Sequence, residues 1–193
     1  YLKYFILIRE WFKESQNEIP EYLNEIIFFL GQNYNFIWQK TNQSLLFNGN
    51  HTNSNSDFDK YLNFHNYKFN NENNENGGYA ILKNKNFFIS VDLGSSPQKK
   101  FSNDYQSGAL SFEIFFNNCK LISNCGYFQN YKHQLNSISK STATHSTLIL
   151  DNRSSCKMKK DTDGIFKVDE EIKIIKKSII SEKKYWSISG SHD

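Results

Sequence analysis

The alternation of side chains from Ala109 to Phe116 constrains the fold of this chain more than any other feature. A period of two predicts a β-strand, because successive side chains of a strand point to opposite faces. One predicted face carries Leu110, Phe112, Ile114 and Phe116, and the other carries Ala109, Ser111, Glu113 and Phe115. Asn117 and Asn118 follow, and Asn tolerates the positive φ that a tight turn needs. Lys120–Cys125 is therefore predicted to return as the second strand of a hairpin.

Further strand signals recur at short intervals on both sides of this hairpin. A third strand, Thr144–Leu150, is expected to continue the sheet and to begin close to His145. The other predicted strands are Tyr79–Leu82, Phe87–Val91, Lys167–Ile175, Ser178–Ser181 and Tyr185–Ser189. The charged run Lys157–Asp163 is interpreted as a solvated hairpin tip. So many short strands predict a mostly β fold, an antiparallel β-sandwich.

The chain before this region has a helical pattern. Leu2–Glu14 places apolar residues at mixed spacings of three and four, which predicts an amphipathic helix. A second apolar stripe, Tyr22–Leu30, follows Pro20, a residue suited to the first helical turn. Residues 51–77 are rich in Asn, Ser and Glu and predict a linker. Their composition allows a short helix at Asp57–Phe64 and predicts a loop at Asn70–Gly78.

The bulk composition narrows the classes of function. The formal net charge is +3 with lysines spread along the chain, so no nucleic-acid footprint is indicated, whereas a weakly basic surface suits an acidic glycan. No apolar run approaches the roughly 20 residues that span a bilayer. Cys119, Cys125 and Cys156 are expected to be buried free thiols, the alternative being a Cys119–Cys125 bridge across the hairpin. The chain begins without Met and ends in mid-pattern, so we expect an internal fragment.

Several segments together resemble a known family. GALSFEIFFNNCKLISNCG and, after it, STATHSTLILDNRSS are similar to the β-domain signature of the bacterial heparinase II/III-like polysaccharide lyases. The earlier segments LLFNGN and VDLG also resemble that family. The resemblance implies that residues 1–50 are the C-terminal end of an α/α-toroid with connecting strands. It also implies that residues 51–77 are the linker and residues 78–193 a truncated β-sandwich domain.

The resemblance implies chemistry on acidic polysaccharides. Lyases of this family cleave glycans that contain uronic acid by β-elimination: a base removes the proton α to the carboxylate, and an acid protonates the leaving oxygen. Most of their catalytic residues belong to the toroid cleft, so the fragment is expected to be inactive without the missing toroid domain of the same chain. A periplasmic or cell-envelope location is implied. The alternative is a non-catalytic sandwich, descended from such lyases, that binds or helps assemble an acidic envelope glycan.

Four positions of this sequence correspond to functional positions of the family. Its His-x-His element falls on Asp104 and Gln106, and its later Asp and His fall on Asn124 and His145. The second His, the Asp and the final His commonly hold a structural zinc. Two of these three are amides here, which are poor zinc ligands, so no metal or other cofactor is expected. Gln106, Asn124 and His145 either form a metal-free cluster that holds three strands in register, or each satisfies only its local backbone.

The candidate catalytic residues of this chain are Tyr105 and His145. Tyr105 follows the family's catalytic His position and could act as an acid or base, stack on a sugar, or belong to the core. Because an ordinary carboxylate is ionised at neutral pH, Asp104 cannot replace that His, and it is assigned a supporting role. Glu113 either hydrogen-bonds to the polar cluster or is solvated.

Overall fold

A computed structural model of the 193-residue chain describes residues 1–39, 41–51 and 56–193. The chain divides into two compact units. The first contains Tyr1–Gln43 and Asn53–Asn73, and the second contains Ser44–Thr52 and Asn74–Asp193. Helices make up the first unit, and the β-strands and the candidate site belong to the second.

The first unit is built from three helices: α1 (Leu2–Glu14), α2 (Glu21–Tyr34, continued by a π-helical turn) and α3 (Ser56–Phe64). The predicted helices are thus present, including the short one within the predicted linker. Their apolar stripes pack into one core, because none of them can bury its apolar face alone. That core contains Leu2, Ile6, Leu23, Ile27 and Leu62. Within the described parts of the chain, no helix has the length and apolarity needed to cross a membrane.

The second unit contains an antiparallel sheet in the order β1-β2-β3-β4-β5. Its strands are β1 (Glu75–Asn76), β2 (Tyr79–Lys83), β3 (Phe87–Asp92), β4 (Phe112–Phe116) and β5 (Cys119–Ile122). The β4–β5 turn has the expected positive φ values, 48° at Asn117 and 62° at Asn118.

The second unit also contains the short helix α4 (Gln134–Ser139) and two antiparallel hairpins: β6 (Lys157–Lys160) with β7 (Phe166–Glu170), and β8 (Ile174–Ser181) with β9 (Trp186–His192). Ile179 and Ile188 of the second hairpin pack against a core of Ala80, Val91 and Leu93. Because this hairpin packs against the five-stranded sheet, one face of each is buried, which explains why apolar and polar residues alternate along the strands of both. The antiparallel sheets, preceded by helices, confirm the predicted fold class.

The predicted strand Thr144–Leu150 is wrong. A 3₁₀ turn occupies Thr142–Thr144, and the chain from His145 runs irregularly to an isolated bridge between Leu150 and Arg153. Its backbone hydrogen bonds are mixed and do not form a ladder: Thr144 O and Ser146 O accept from the N–H groups of Cys125 and Phe112, whereas the Ser146 N–H donates to the side-chain Oδ1 of Asn124 at 2.9 Å. Alternation of apolar and polar residues therefore gave a false strand signal here.

Other predicted boundaries also need correction. The strand predicted from Ala109 begins at Phe112, because Leu110 has a φ of 59° and lies in a turn. The predicted strand Lys167–Ile175 is interrupted after Glu170 and resumes at Ile174 as β8, which includes the predicted Ser178–Ser181.

The charged run and the cysteines also differ from expectation. Lys157–Asp163 is not only a hairpin tip, since its first four residues form β6. All three cysteines are free, but only Cys156 is buried, whereas Cys119 and Cys125 are exposed.

Candidate functional site

Gln106 lies at the centre of a polar region, in the loop between the 3₁₀ turn Lys99–Phe101 and β4. Its side-chain nitrogen donates to the carbonyl oxygens of Gly126 at 2.9 Å and Ser139 at 2.6 Å. Its side-chain oxygen accepts from the Gly49 N–H at 3.2 Å. The buried amide is thus bonded at both ends, and it joins the last residue of the helix Gln134–Ser139 to two loops rather than joining three strands.

His145 meets Gln106 at the same carbonyl oxygen. Its Nε2 lies 3.2 Å from Ser139 O, and because a carbonyl only accepts, Nε2 carries the hydrogen. Burial lowers the pKa of His145, and this effect outweighs the hydrogen bond to Ser139, so the ring is neutral at pH 7. The other ring nitrogen, Nδ1, lies against Gly108, where an added Cβ would be only 3.4 Å away. Through its hydrogen bond the neutral His145 ring anchors Ser139, the last residue of the helix Gln134–Ser139.

Asn124 is anchored next to His145 through the following residue. Its Oδ1 accepts from the Ser146 N–H at 2.9 Å, and its own backbone N–H donates to Glu113 Oε1 at 3.0 Å. The buried Nδ2 of Asn124 has no hydrogen-bond partner within the described residues. Asn124 therefore connects the His145 loop to β4.

Glu113 is completely buried, with 0% of its surface exposed. Its carboxylate accepts from the Leu46 N–H at 3.1 Å and from Ser123 Oγ at 3.2 Å, in addition to Asn124. Lys120 Nζ lies 3.2 Å away and completes an ion pair. The interpretation of Glu113 as a solvated residue is therefore wrong. Its carboxylate is hydrogen-bonded within the polar region, as the other interpretation expected.

The structure thus brings Gln106, Asn124 and His145 into one polar region, connected through backbone groups. The side-chain oxygens of Gln106 and Asn124 accept hydrogen bonds from the N–H groups of Gly49 and Ser146, and His145 Nε2 donates to Ser139 O. In the described ranges, no group of three or more His, Cys, Asp or Glu side chains could hold a metal ion. Two amides and a single imidazole do not fit a zinc ion, which prefers imidazole, thiolate and carboxylate ligands.

Tyr105 and Asp104 occupy very different surroundings although they are neighbours in sequence. Tyr105 packs in a core with Cys156 and Val168, and burial raises its pKa well above the ordinary value. A phenol whose pKa is raised keeps its proton at neutral pH, so Tyr105 does not fit the role of a catalytic base there. Asp104 is exposed and lies close to Tyr127, whose pKa is raised mainly by burial and further by that carboxylate.

Two buried polar groups near these residues, Lys140 and Asp92, are not among the predicted site residues. Lys140 is buried, and its Nζ donates to the carbonyl oxygens of Asn103 at 2.5 Å and Phe166 at 2.6 Å. Burial lowers the pKa of Lys140 to about 8. Asp92 is also buried and bonds Asn48, 44 residues away in the chain. Neither residue belongs to a predicted helix or strand. Asp92 and its partner Asn48 lie in the segments VDLG and LLFNGN, which were noted only for their resemblance to the family.

Comparison with known proteins agrees with this architecture. The sequence model of the family described as heparinase II/III-like, C-terminal, matches residues 70–193, which is more than half of the chain. The match includes β1 to β9 and the polar region around Gln106. No curated protein and no solved structure matches the chain. By this match the chain belongs to the heparinase II/III-like family and contains that family's C-terminal domain.

Proposed function

We propose that the chain is part of a polysaccharide lyase that cleaves glycans containing uronic acid by β-elimination. The family match over residues 70–193 carries this proposal. In the elimination, a base takes the proton α to the uronate carboxylate and an acid protonates the leaving oxygen. Polar groups that neutralise the carboxylate make that proton acidic enough to remove.

The second unit acts as a scaffold in this proposal, and an α/α-toroid supplies the acid and the base. Three observations support this division. His145 donates to Ser139 O, Tyr105 is buried among apolar residues, and Gln106 is bonded at both ends of its amide. The residues at the family's positions thus fix loop geometry, and this chain alone is inactive.

From the family resemblance we also propose that the protein acts in the periplasm or cell envelope.

We further propose that the second unit folds without a resident metal. The polar atoms of Gln106, Asn124 and His145 bond backbone groups instead of converging on a common ion. Metal analysis of the purified chain after dialysis tests this proposal. Stoichiometric zinc that is lost in a His145→Ala variant would overturn it.

A second candidate function is a non-catalytic domain that binds or helps assemble an acidic glycan. The observation that favours it is Asp104, a carboxylate at the position where the family has a catalytic His, next to a buried Tyr105. An ordinary carboxylate is already ionised at neutral pH, so it cannot replace the proton transfer of that His, and the loss of this group favours binding without cleavage.

An activity assay separates the two candidates. The full-length protein that carries this chain is mixed with uronate-containing polymers, and the ultraviolet absorbance of the unsaturated product is followed. A lyase gives a steady rise with the full-length protein and none with the 193-residue chain alone. A flat trace with every polymer, together with measurable glycan binding, would reject the lyase and support the binding domain.

A further inference from the structure

The dipeptide Asn-Gly occurs twice in the second unit, at Asn48-Gly49 and at Asn76-Gly77. Asn is among the chemically labile residues, and a glycine after it lacks the side chain that would shield the next backbone nitrogen. That nitrogen can attack the side-chain amide of the Asn and release ammonia. Because both sites share this dipeptide, their surroundings in the folded chain decide which of them reacts.

Asn48 is held at both ends of its side-chain amide. Its Nδ2 donates to the Tyr79 hydroxyl and to Asp92 Oδ2, both at 2.9 Å. Its Oδ1 accepts from the Gln106 N–H at 3.2 Å. The amide carbon of Asn48 therefore cannot turn towards the next backbone nitrogen until these hydrogen bonds break.

The attacking nitrogen of this first site is also engaged. The Gly49 N–H donates to Gln106 Oε1 at 3.2 Å. A Cβ added at Gly49 would lie only 2.8 Å from Asp104 Cβ, so the backbone here packs closely against the loop before β4. Both reacting groups of Asn48-Gly49 are thus fixed by the fold, and their rotation towards each other is opposed.

Asn76-Gly77 lies in the opposite surroundings, at the turn of the β1–β2 hairpin. Gly77 and Gly78 have positive φ values of 59° and 87° and form this turn. Gly77 is exposed, and a Cβ added there would meet no atom within 4 Å. In the described parts of the chain, neither the Asn76 side chain nor the Gly77 N–H forms a hydrogen bond. The two reacting groups are therefore free to approach each other.

The strand that contains Asn76 can open locally. β1 consists of Glu75 and Asn76 alone, and it lies at the edge of the five-stranded sheet. Its two residues pair with Ala80 and Tyr79 of β2. Because so short an edge strand has few backbone hydrogen bonds to break, its opening costs much less free energy than global unfolding. The backbone can thus reach the conformation that ring closure requires.

We propose that Asn76 is a site of spontaneous deamidation in the folded protein and that the fold protects Asn48 from the same reaction. The Gly77 nitrogen loses its proton and bonds to Asn76 Cγ, and the Cγ–Nδ2 bond breaks. Ammonia leaves with that proton, and a succinimide ring forms. Water then opens the ring at either of its carbonyl carbons. The products are an aspartate or an isoaspartate at position 76, each with an added negative charge.

The isoaspartate product changes the edge of the sheet. Its main chain is longer by one carbon within β1, which disrupts the pairing of Asn76 with Tyr79. The new carboxylate also lies next to Glu75, the ion-pair partner of Lys177, and the two like charges repel each other. With β1 displaced, β2 becomes the edge strand, and an unpaired strand edge can pair with other chains.

The test compares the two sites within one sample. The purified chain is incubated at mildly alkaline pH, once folded and once in a denaturing concentration of guanidinium chloride. Peptide mapping by mass spectrometry then follows the mass increase of about 1 Da at each Asn. In the folded chain, Asn76 should react at least about tenfold faster than Asn48, because the hydrogen bonds of Asn48 must break first. In guanidinium chloride the two rates should be similar.

A pair of variants assigns the product to its position. Incubation of the folded parent should produce an acidic species that ion-exchange chromatography separates, and Asn76→Gln should abolish it. Asn86→Gln is the matched control, since Asn86 is exposed in the neighbouring β2–β3 turn but precedes the bulky Phe87. This control should form the acidic species at the rate of the parent.

Several outcomes would overturn the proposal. They are equal rates at Asn48 and Asn76 in the folded chain, an unmodified Asn76 in a folded chain whose denatured form reacts, and an acidic species that persists in Asn76→Gln. A rate difference of the same size in guanidinium chloride would also overturn it, because the flanking sequence rather than the fold would then protect Asn48. None of these outcomes depends on lyase activity, so this proposal and the lyase proposal fail separately.

Discussion

Two carboxylates from adjacent strands are buried in the second unit, and they differ in the number and charge of the groups that surround them. Glu113 of β4 is surrounded by two backbone N–H groups, a serine hydroxyl and the Lys120 ammonium. Asp92 of β3 receives one backbone N–H and the Asn48 amide, and beyond them it faces a cavity. A carboxylate with a cation and several donors stabilises the fold, whereas one with few donors and an open side remains available to a ligand.

The pKa of Asp92 reflects this difference. Burial raises it to about 6 from an ordinary 3.8, although the hydrogen bonds from Gly94 and Asn48 lower it. The charge of Asp92 is therefore incompletely compensated in the folded chain. The contrast with Glu113 predicts how substitutions of the two carboxylates differ in their effect on the free energy of unfolding.

The largest effect is expected from Glu113→Ala. The substitution leaves the N–H groups of Leu46 and Asn124 buried without acceptors and Lys120 without its counter-ion. The free energy of unfolding should fall by about 3 kcal/mol, measured by urea denaturation. The exposed Glu182→Ala serves as control and should change it by less than about 0.5 kcal/mol. A similar small effect for Glu113→Ala would show that the buried carboxylate is not structural.

A pH-dependent effect of intermediate size is expected from Asp92. Because its folded-state pKa is raised, the folded chain binds the proton more tightly than the unfolded chain does. The contribution of Asp92 to stability is therefore greatest below an ordinary aspartate pKa and is lost as the pH rises through about 6. From about pH 4 to about pH 7 this loss should be on the order of 2 kcal/mol.

Asp92→Asn isolates this effect because the amide cannot ionise. Unfolding of both proteins is measured by urea at several pH values, and the stability of the variant relative to the parent should rise with pH. The lost acceptor of Asp92 shifts the whole curve without changing its slope. Asp151→Asn, at an exposed turn position outside the cavity, is the matched control and should change the free energy of unfolding by less than about 0.5 kcal/mol. Parallel curves for Asp92→Asn would contradict the assigned burial cost.

The two carboxylates also show what the sequence could predict. The strand Phe112–Phe116, the Asn117–Asn118 turn and both long helices follow from local patterns, since period and turn residues act over a few positions. Alternation put Glu113 and Phe115 on one face, and both are buried. Alternation alone did not reveal that Glu113 is paired, because the donors Leu46 and Asn124 come from distant segments.

The predicted strand at Thr144–Leu150 failed for a related physical reason. The segment has a strand-like composition, but side chains take part in its hydrogen bonds: the Ser146 N–H donates to Asn124 Oδ1, and the Thr147 hydroxyl donates to Ala109 O. Side-chain bonds of this kind compete with a β-ladder, and their long-range partners cannot be read from a single segment. The Asn48–Asp92 contact was missed likewise, because its two residues lie 44 positions apart in the chain.

The smallest effect should come from removing the cation that distinguishes the two carboxylates. Lys120→Met keeps the length of the side chain but leaves Glu113 with its backbone and serine donors, which resembles the situation of Asp92. Because 23% of the Lys120 side chain is exposed, solvent already screens part of the ion pair, and we expect a loss of about 1–2 kcal/mol by urea denaturation. Lys159→Met, at an exposed position of β6, is the control. A double-mutant cycle with Glu113→Gln should give a coupling energy of about 1 kcal/mol, whereas additive losses would mean that the hydrogen bonds to Leu46, Ser123 and Asn124 alone stabilise the buried carboxylate.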